Sequence, residues 1–166
     1  MSEPANGDHT SNGRPLGYSS LTPFLAVSPA QAAIEFYCEV FGATVVGVTE
    51  FGGVIAHAEL DLGNGRLQLG TPSPDYHLIG QSATDDACYS LALYCPDVDA
   101  VVERAVAAGA VVREPVTDFV SGDRYGSIRD PFGVRWSVMT RVEDISDAES
   151  ARRVEAWAAQ YAADQD

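Results

Sequence analysis

Basic residues are scarce in this chain: Lys and Arg together number 10 against 24 Asp and Glu, a formal net charge of −14 over 166 residues. A protein that grips nucleic acid needs cationic side chains to displace counterions from phosphates, so this balance excludes nucleic acid as a partner. Residues 143–166 hold seven acids beside Arg152 and Arg153 and account for −5 of the total, so the excess is not merely a tail. Such a surface favours a cationic small-molecule partner. Cysteine is equally sparse. Cys38, Cys88 and Cys95 are odd in number and lack the close pairing of a zinc site, which reads as reduced thiols in a cytoplasmic protein. No apolar run approaches the ~20 residues of a membrane helix, so no membrane partner is expected. The first residues lack a basic segment followed by an apolar one, so no secretory signal is expected either. A nucleophile elbow, a phosphate-cradling glycine loop and a paired-cysteine motif are also missing.

What the chain does contain is a repeat. Phe24-Leu25-Ala26-Val27 leads through Ser28-Pro29 into an apolar-periodic segment that stops at Gly42. Sixty-seven residues later Leu91-Ala92-Leu93-Tyr94 leads through Cys95-Pro96 into another, which stops at Gly109. Repeats of this kind pack on one another because neither buries its apolar face alone. A cleft between like halves suits a ligand.

Residues 1–18 are polar, rich in Gly, Asn, Ser and Pro, and read as a disordered leader. A domain is expected over 19–142, with modules at about 21–70 and 89–140. In the first module a strand at 21–27 precedes a helix with Ser28 as N-cap, Pro29 at the first helical position and Gln31 closing a capping box. Ala30, Ala33, Ile34, Tyr37, Cys38 and Phe41 share one face of it. Strands follow at 43–50, 53–62 and 65–70. In the second module a strand at 89–95 and a helix at 98–108 precede strands near 110–114, 124–129 and 134–140. An acidic helix over 143–166 opens on a second capping box, Ser146 to Glu149, and docks on the domain or on a second subunit.

Two βαβββ halves, with Ala33-Ile34-Glu35-Phe36-Tyr37, Ala56-His57-Ala58-Glu59-Leu60 and Gly122-Asp123-Arg124-Tyr125-Gly126, resemble the vicinal oxygen chelate superfamily of glyoxalases, bleomycin-resistance proteins and extradiol dioxygenases. Arg129-Asp130-Pro131-Phe132-Gly133 with Trp136 three residues on is the most specific segment of that resemblance. The implied fold is α+β, two tandem βαβββ modules forming an incomplete barrel, followed by the C-terminal helix. Enzymes of the superfamily hold a divalent metal on His and Glu of the first and last strands of each half. Counting from the helix and glycine landmarks puts those positions at Thr22, Gln68, Ser90 and Ser137, and a one-residue shift still gives no His/Glu set. No metal and no cofactor is therefore expected at the family position. His57, Glu59 and Asp61 alternate along one strand, a pattern open to metal binding and equally to a strand with one polar edge.

The resemblance also implies a metal-free groove at a homodimer interface that sequesters flat, cationic molecules, using aromatic faces and carboxylates. The ligand-binding residues expected on that basis are Thr22, Phe51, His57, Gln68, Ser90, Arg124, Tyr125 and Ser137. An ion pair of Asp123 or Asp130 with Arg124 or Arg129 is the structural alternative for the hairpin residues. Two functions stay open. One is a binder that sequesters a toxic or antibiotic-like, cationic or aromatic compound. The other is a non-metal lyase or isomerase acting on a small carbonyl or polyketide-like substrate, with His57, Glu59 or Asp123 in acid–base roles.

Overall fold

Alternating apolar residues give the inner strands of each half one face to bury, and each half supplies one helix to bury it. The structure, a computed structural model, describes residues 4, 6–82, 84 and 86–164. The chain divides into two units, Met1–Gln81 and Ser82–Asp166. In the first, a small hairpin of β1 (Thr10–Ser11) and β2 (Arg14–Pro15) precedes β3 (Phe24–Ala26), α1 (Ala30–Phe41), β4 (Thr44–Phe51), β5 (Val54–Asp61) and β6 (Arg66–Gly70). The second holds β7 (Ser90–Tyr94), α2 (Val98–Ala107), β8 (Val111–Asp118), β9 (Asp123–Arg129), β10 (Arg135–Arg141) and α3 (Asp147–Ala163). The sheets have matching orders, β3-β6-β5-β4 and β7-β10-β9-β8. In both, the first and last strands of the module pair in parallel and the remaining pairs are antiparallel. The sequence repeat is thus a repeat of topology, and the two βαβββ modules form as expected.

Helical spacing brings Ala30, Ala33, Ile34, Tyr37 and Val40 onto the buried side of α1, and Leu25, Ala58, Leu60, Leu67 and Leu69 are among the buried strand residues of that unit. In the second unit Val98, Val101, Val102 and Ala105 of α2 join Ile128, Val134, Trp136 and Val138. Burying these large side chains supplies roughly 1.5–3 kcal/mol each before entropy is counted. The period-two alternation then turns the intervening strand residues to the other face, where polar groups collect.

Four local expectations are corrected. The segment read as a disordered leader contains the β1–β2 hairpin, and the phenol of Tyr18 reaches the carboxylate of Glu59. The first strand is shorter than 21–27 because Pro23 has no N–H for the ladder; only its carbonyl takes part, accepting from the Gln68 N–H at 2.9 Å. No capping box forms at Ser28: Pro29 is itself the N-cap, with no side-chain cap hydrogen bond, and Gln31 donates to Glu35 one turn on. Strand β8 continues past 114 to Asp118, because as an edge strand it accommodates Pro115 within a stretch of irregular register.

Of the second capping box only the serine half forms. Ser146 Oγ accepts from the Glu149 N–H at 3.2 Å, while the Glu149 carboxylate is taken by Arg152 and Arg153. Helix α3 buries no residue fully. It rests on its own unit through Trp157, edge-on to Phe119 at 5.1 Å, and through Ser150 Oγ, which donates to the Ser121 carbonyl at 2.9 Å.

Candidate functional site

In the second unit the residues opposite the helix-facing row gather around Arg135. This side chain follows Gly133 and Val134 into β10 and precedes the buried Trp136, so alternation turns it away from α2. Its Nε donates to Ser127 Oγ at 2.6 Å and its Nη2 to Glu114 Oε1 at 2.7 Å. The other Glu114 oxygen accepts from the Tyr125 phenol at 2.7 Å. Donation to that carboxylate, with burial second, raises the Tyr125 pKa above the ordinary phenol value. Two residues along β10 the Ser137 hydroxyl meets that of Ser90 at 3.1 Å. Glu114, Arg135, Ser90 and Ser137 border an open recess of about 410 Å³, lined also by Cys88 and Tyr89.

In the first unit the corresponding face carries His57, Glu59 and Asp61 of β5, Arg66 and Gln68 of β6, and Phe24 of β3. Gln68 stands opposite both Phe24 and Glu59 in the ladder. Its amide donates to Glu59 Oε2 at 3.1 Å, and Glu59 Oε1 accepts from the Tyr18 phenol. Burial pushes the Glu59 carboxyl up, but the hydrogen bonds from Tyr18 and Gln68 and the charge of Arg66 outweigh it and hold the pKa below its usual value. The imidazole of His57 lies against Phe24, with ring centroids 6.0 Å apart.

The remaining expected residues are dispersed. Thr22 lies before β3, and Phe51 is 71% exposed at the end of β4. Arg124 points toward α2, where its guanidinium forks onto Asp99 at 2.7 and 2.8 Å and reaches Asp118 at 2.9 Å. Asp123 is buried and accepts from Arg141 at 2.7 Å and from Ser121 at 2.8 Å. The hairpin does contain a structural ion pair, but with Arg141 as the cation. Asp130 is also structural: one oxygen accepts the Phe132 and Val134 N–H groups at 2.9 Å, the other the Trp136 indole N–H at 2.9 Å.

The superfamily's enzymes imply a divalent ion, and the donor set here does not fit one. Ser90 and Ser137 are neutral hydroxyls bonded to each other, and Gln68 is a neutral amide whose N–H is given to Glu59. Divalent sites are built from imidazole, thiolate or carboxylate lone pairs converging on one point. Among the described residues no three His, Cys, Asp or Glu side chains form such a group. His57 and Glu59 share a face, but the Glu59 oxygens are already engaged by Tyr18 and Gln68.

Five residues of these two faces escape the sequence reading: Glu114, Ser127, Arg135, Tyr18 and Arg66. Arg135 was legible in principle, since it stands two residues before Ser137 as Arg66 stands two before Gln68. Tyr18 was not, because its contact with Glu59 spans 41 residues of chain.

A sequence model of the Glyoxalase/Bleomycin resistance protein/Dioxygenase superfamily matches residues 17–138. Uncharacterized protein Mb0911c of Mycobacterium bovis is 35% identical over 132 residues, covering 76% of this chain and 86% of its own length. Uncharacterized protein Rv0887c of Mycobacterium tuberculosis is likewise 35% identical over 132 residues, with coverage of 76% and 77%. The crystal structure of TioX from Micromonospora sp. ML1 superimposes with a TM-score of 0.60 at 28% identity, covering 74% of this chain and 98% of that one. A glyoxalase-related enzyme from Fulvimarina pelagi gives 0.58 at 21% identity, covering 74% and 87%, a likeness of fold alone.

Proposed function

This chain belongs to the Glyoxalase/Bleomycin resistance protein/Dioxygenase superfamily, and on that premise we propose that it binds a small organic molecule without a metal ion, in the recess of its second unit. The observation that carries this reading is the lining of that recess. Its volume of about 410 Å³ suits a drug-sized compound, for which pockets run from roughly 300 to 1,000 Å³. A carboxylate, a guanidinium and two hydroxyls are already held in place by mutual hydrogen bonds, so little ordering is lost on binding. Tyr89 adds an aromatic face, and Glu114, nearly half exposed at its side chain, a carboxylate whose charge Arg135 offsets. The aromatic face suits a flat molecule, and the acidic balance of the whole chain favours a cationic one.

Sequestration is favoured over turnover because the carboxylates expected to do acid–base work are engaged. Hydrogen bonds from Tyr18 and Gln68 hold Glu59 ionised, and both Asp123 oxygens are taken by Arg141 and Ser121. In this reading the protein acts in the cytoplasm as a homodimer that withdraws a toxic or antibiotic-like compound. The exposed valines of edge strand β4, Val45, Val46 and Val48, support an interface with a second copy.

Calorimetric titration with a panel of planar cationic compounds, bleomycins included, tests the reading. Saturable binding that is lost in Ser137→Trp, which fills the recess, is the expected result. Absence of saturable binding across the panel overturns it.

A further inference from the structure

We propose that the open face of the first unit is a second ligand site, that it takes a phenolic ring, and that Tyr18 occupies it when no ligand is present. The strand registers make the two faces equivalent. Gln68 stands opposite Phe24 and Glu59 in one sheet as Ser137 stands opposite Ala92 and Ser127 in the other. Arg66 and Arg135 each lie two residues before these positions. Beside Arg135 the space is an open recess. Beside Arg66 the space holds the ring of Tyr18, whose centroid lies 5.2 Å from the guanidinium carbon.

Tyr18 behaves as a tethered occupant rather than as part of the sheet. Its phenol donates to Glu59, and the other hydrogen bonds described for residues 9–21 stay within that segment, from Leu16 N–H to the His9 carbonyl and from Arg14 to Ser20. The segment is otherwise exposed or half-buried. One side chain therefore makes the hydrogen bond described between this segment and the face. Around that side chain are a carboxylate that accepts the hydroxyl and a guanidinium that lies over the ring, with Gln68, Phe24 and His57 neighbouring Glu59 on the same face. These are recognition elements for an aromatic ring bearing a hydroxyl.

Arg66 adds an independent sign. Its Nε and Nη1 are shielded from solvent and hydrogen-bonded to nothing among the described residues, although Nη1 lies 3.6 Å from Glu59 and Nη2 lies 3.4 Å from Asp61. Buried donors left unmet are costly; the Tyr18 ring offers them only its π face, and its hydroxyl is engaged with Glu59. A free phenol that carries a second oxygen brings an acceptor besides, which gives an external ligand an advantage over the tethered ring.

The test uses the full chain, 4-fluorophenol as a ¹⁹F NMR probe and fluorobenzene as the control without a hydroxyl. Tyr18→Ala is expected to bind 4-fluorophenol saturably and about tenfold or more tightly than the wild type, where the tethered phenol competes at high effective concentration. Adding Glu59→Gln should weaken that binding about tenfold by removing a charge-assisted hydrogen bond, while adding Ser137→Trp should leave it unchanged. In the wild type, saturating probe should speed amide hydrogen exchange across residues 9–21. Tyr18→Phe, which keeps the ring, should speed the same exchange without any probe, so the anchor is tested even if alanine at this position unfolds the unit. Equal binding of fluorobenzene, indifference to Glu59→Gln, loss of binding on Ser137→Trp, or exchange in 9–21 unmoved by probe and by Tyr18→Phe would each overturn the proposal. Failure of the recess to bind cations leaves all of these readings intact, so the two sites stand or fall separately.

Discussion

The indole N–H of Trp136 is bonded to the carboxylate of Asp130 at 2.9 Å, inside a turn whose Phe132 and Val134 N–H groups point at the same side chain. The Asp-Pro-Phe-Gly stretch that resembles the superfamily is therefore a fastening between β9 and β10. It presents Arg135 and Ser137 to the recess by fixing Trp136 on the opposite face.

Replacing Asp130 by Ala leaves three donors without an acceptor in a buried setting. A loss of about 3 kcal/mol is expected, given 1–3 kcal/mol for each buried group left unmet and partial relaxation. Urea unfolding monitored by circular dichroism measures it. A change under 1 kcal/mol would mean that the turn is held by its backbone alone.

Gly70 ends β6 where a Cβ would stand 2.4 Å from the Ala56 carbonyl oxygen and 3.0 Å from the Phe24 ring. Backbone atoms cannot swing aside as a flexible side chain can, so Gly70→Ala is expected to cost about 2 kcal/mol. The melting temperature should fall by several degrees. An unchanged midpoint would show that β5 and β6 separate more easily than their register implies.

Glu149 lies in the first turn of α3, where hydrogen bonds from Arg152 and Arg153 lower its pKa from 4.5 to about 2. A carboxyl with a depressed folded-state value stabilises the folded form above its unfolded pKa, and that contribution is lost as pH falls through the folded one. Protection of α3 amides should therefore decline between pH 4.5 and 2, with the decline absent in Glu149→Gln. Hydrogen exchange resolved by peptide reads this directly. Equal pH profiles for the two proteins would sink the assignment.

Protein purified without a histidine tag is expected to carry no stoichiometric Ni, Zn, Fe or Mn and to show no glyoxalase I activity. The basis is the chemistry of Thr22, Gln68, Ser90 and Ser137, none of which offers an imidazole or a carboxylate. Chelator treatment should leave the melting temperature where it was, because no metal-binding free energy is linked to folding. One equivalent of metal, lost together with several degrees of stability, would instead make ligands of His57 and Glu59.

The sequence by itself determined the repeat, the two βαβββ modules and the helix-facing core. Those features depend on periodicity, on glycine stops such as Gly42, and on pairings between elements close in the chain. It also determined the neutral character of Gln68, Ser90 and Ser137. Only the tertiary structure decided which polar groups meet. Arg124 and Tyr125 are neighbours in sequence, yet strand alternation sends one to Asp99 in the first turn of α2 and the other to Glu114 on the opposite face. Asp123 found Arg141, 18 residues away, in place of the nearer arginines. The leader, polar by composition, is fastened by Tyr18 because β5 and β6 carry Glu59 and Arg66 to where its ring arrives. Local pattern fixes the direction of a side chain relative to its own element. Which partner waits in that direction depends on chain folded from far away, and no periodicity records it.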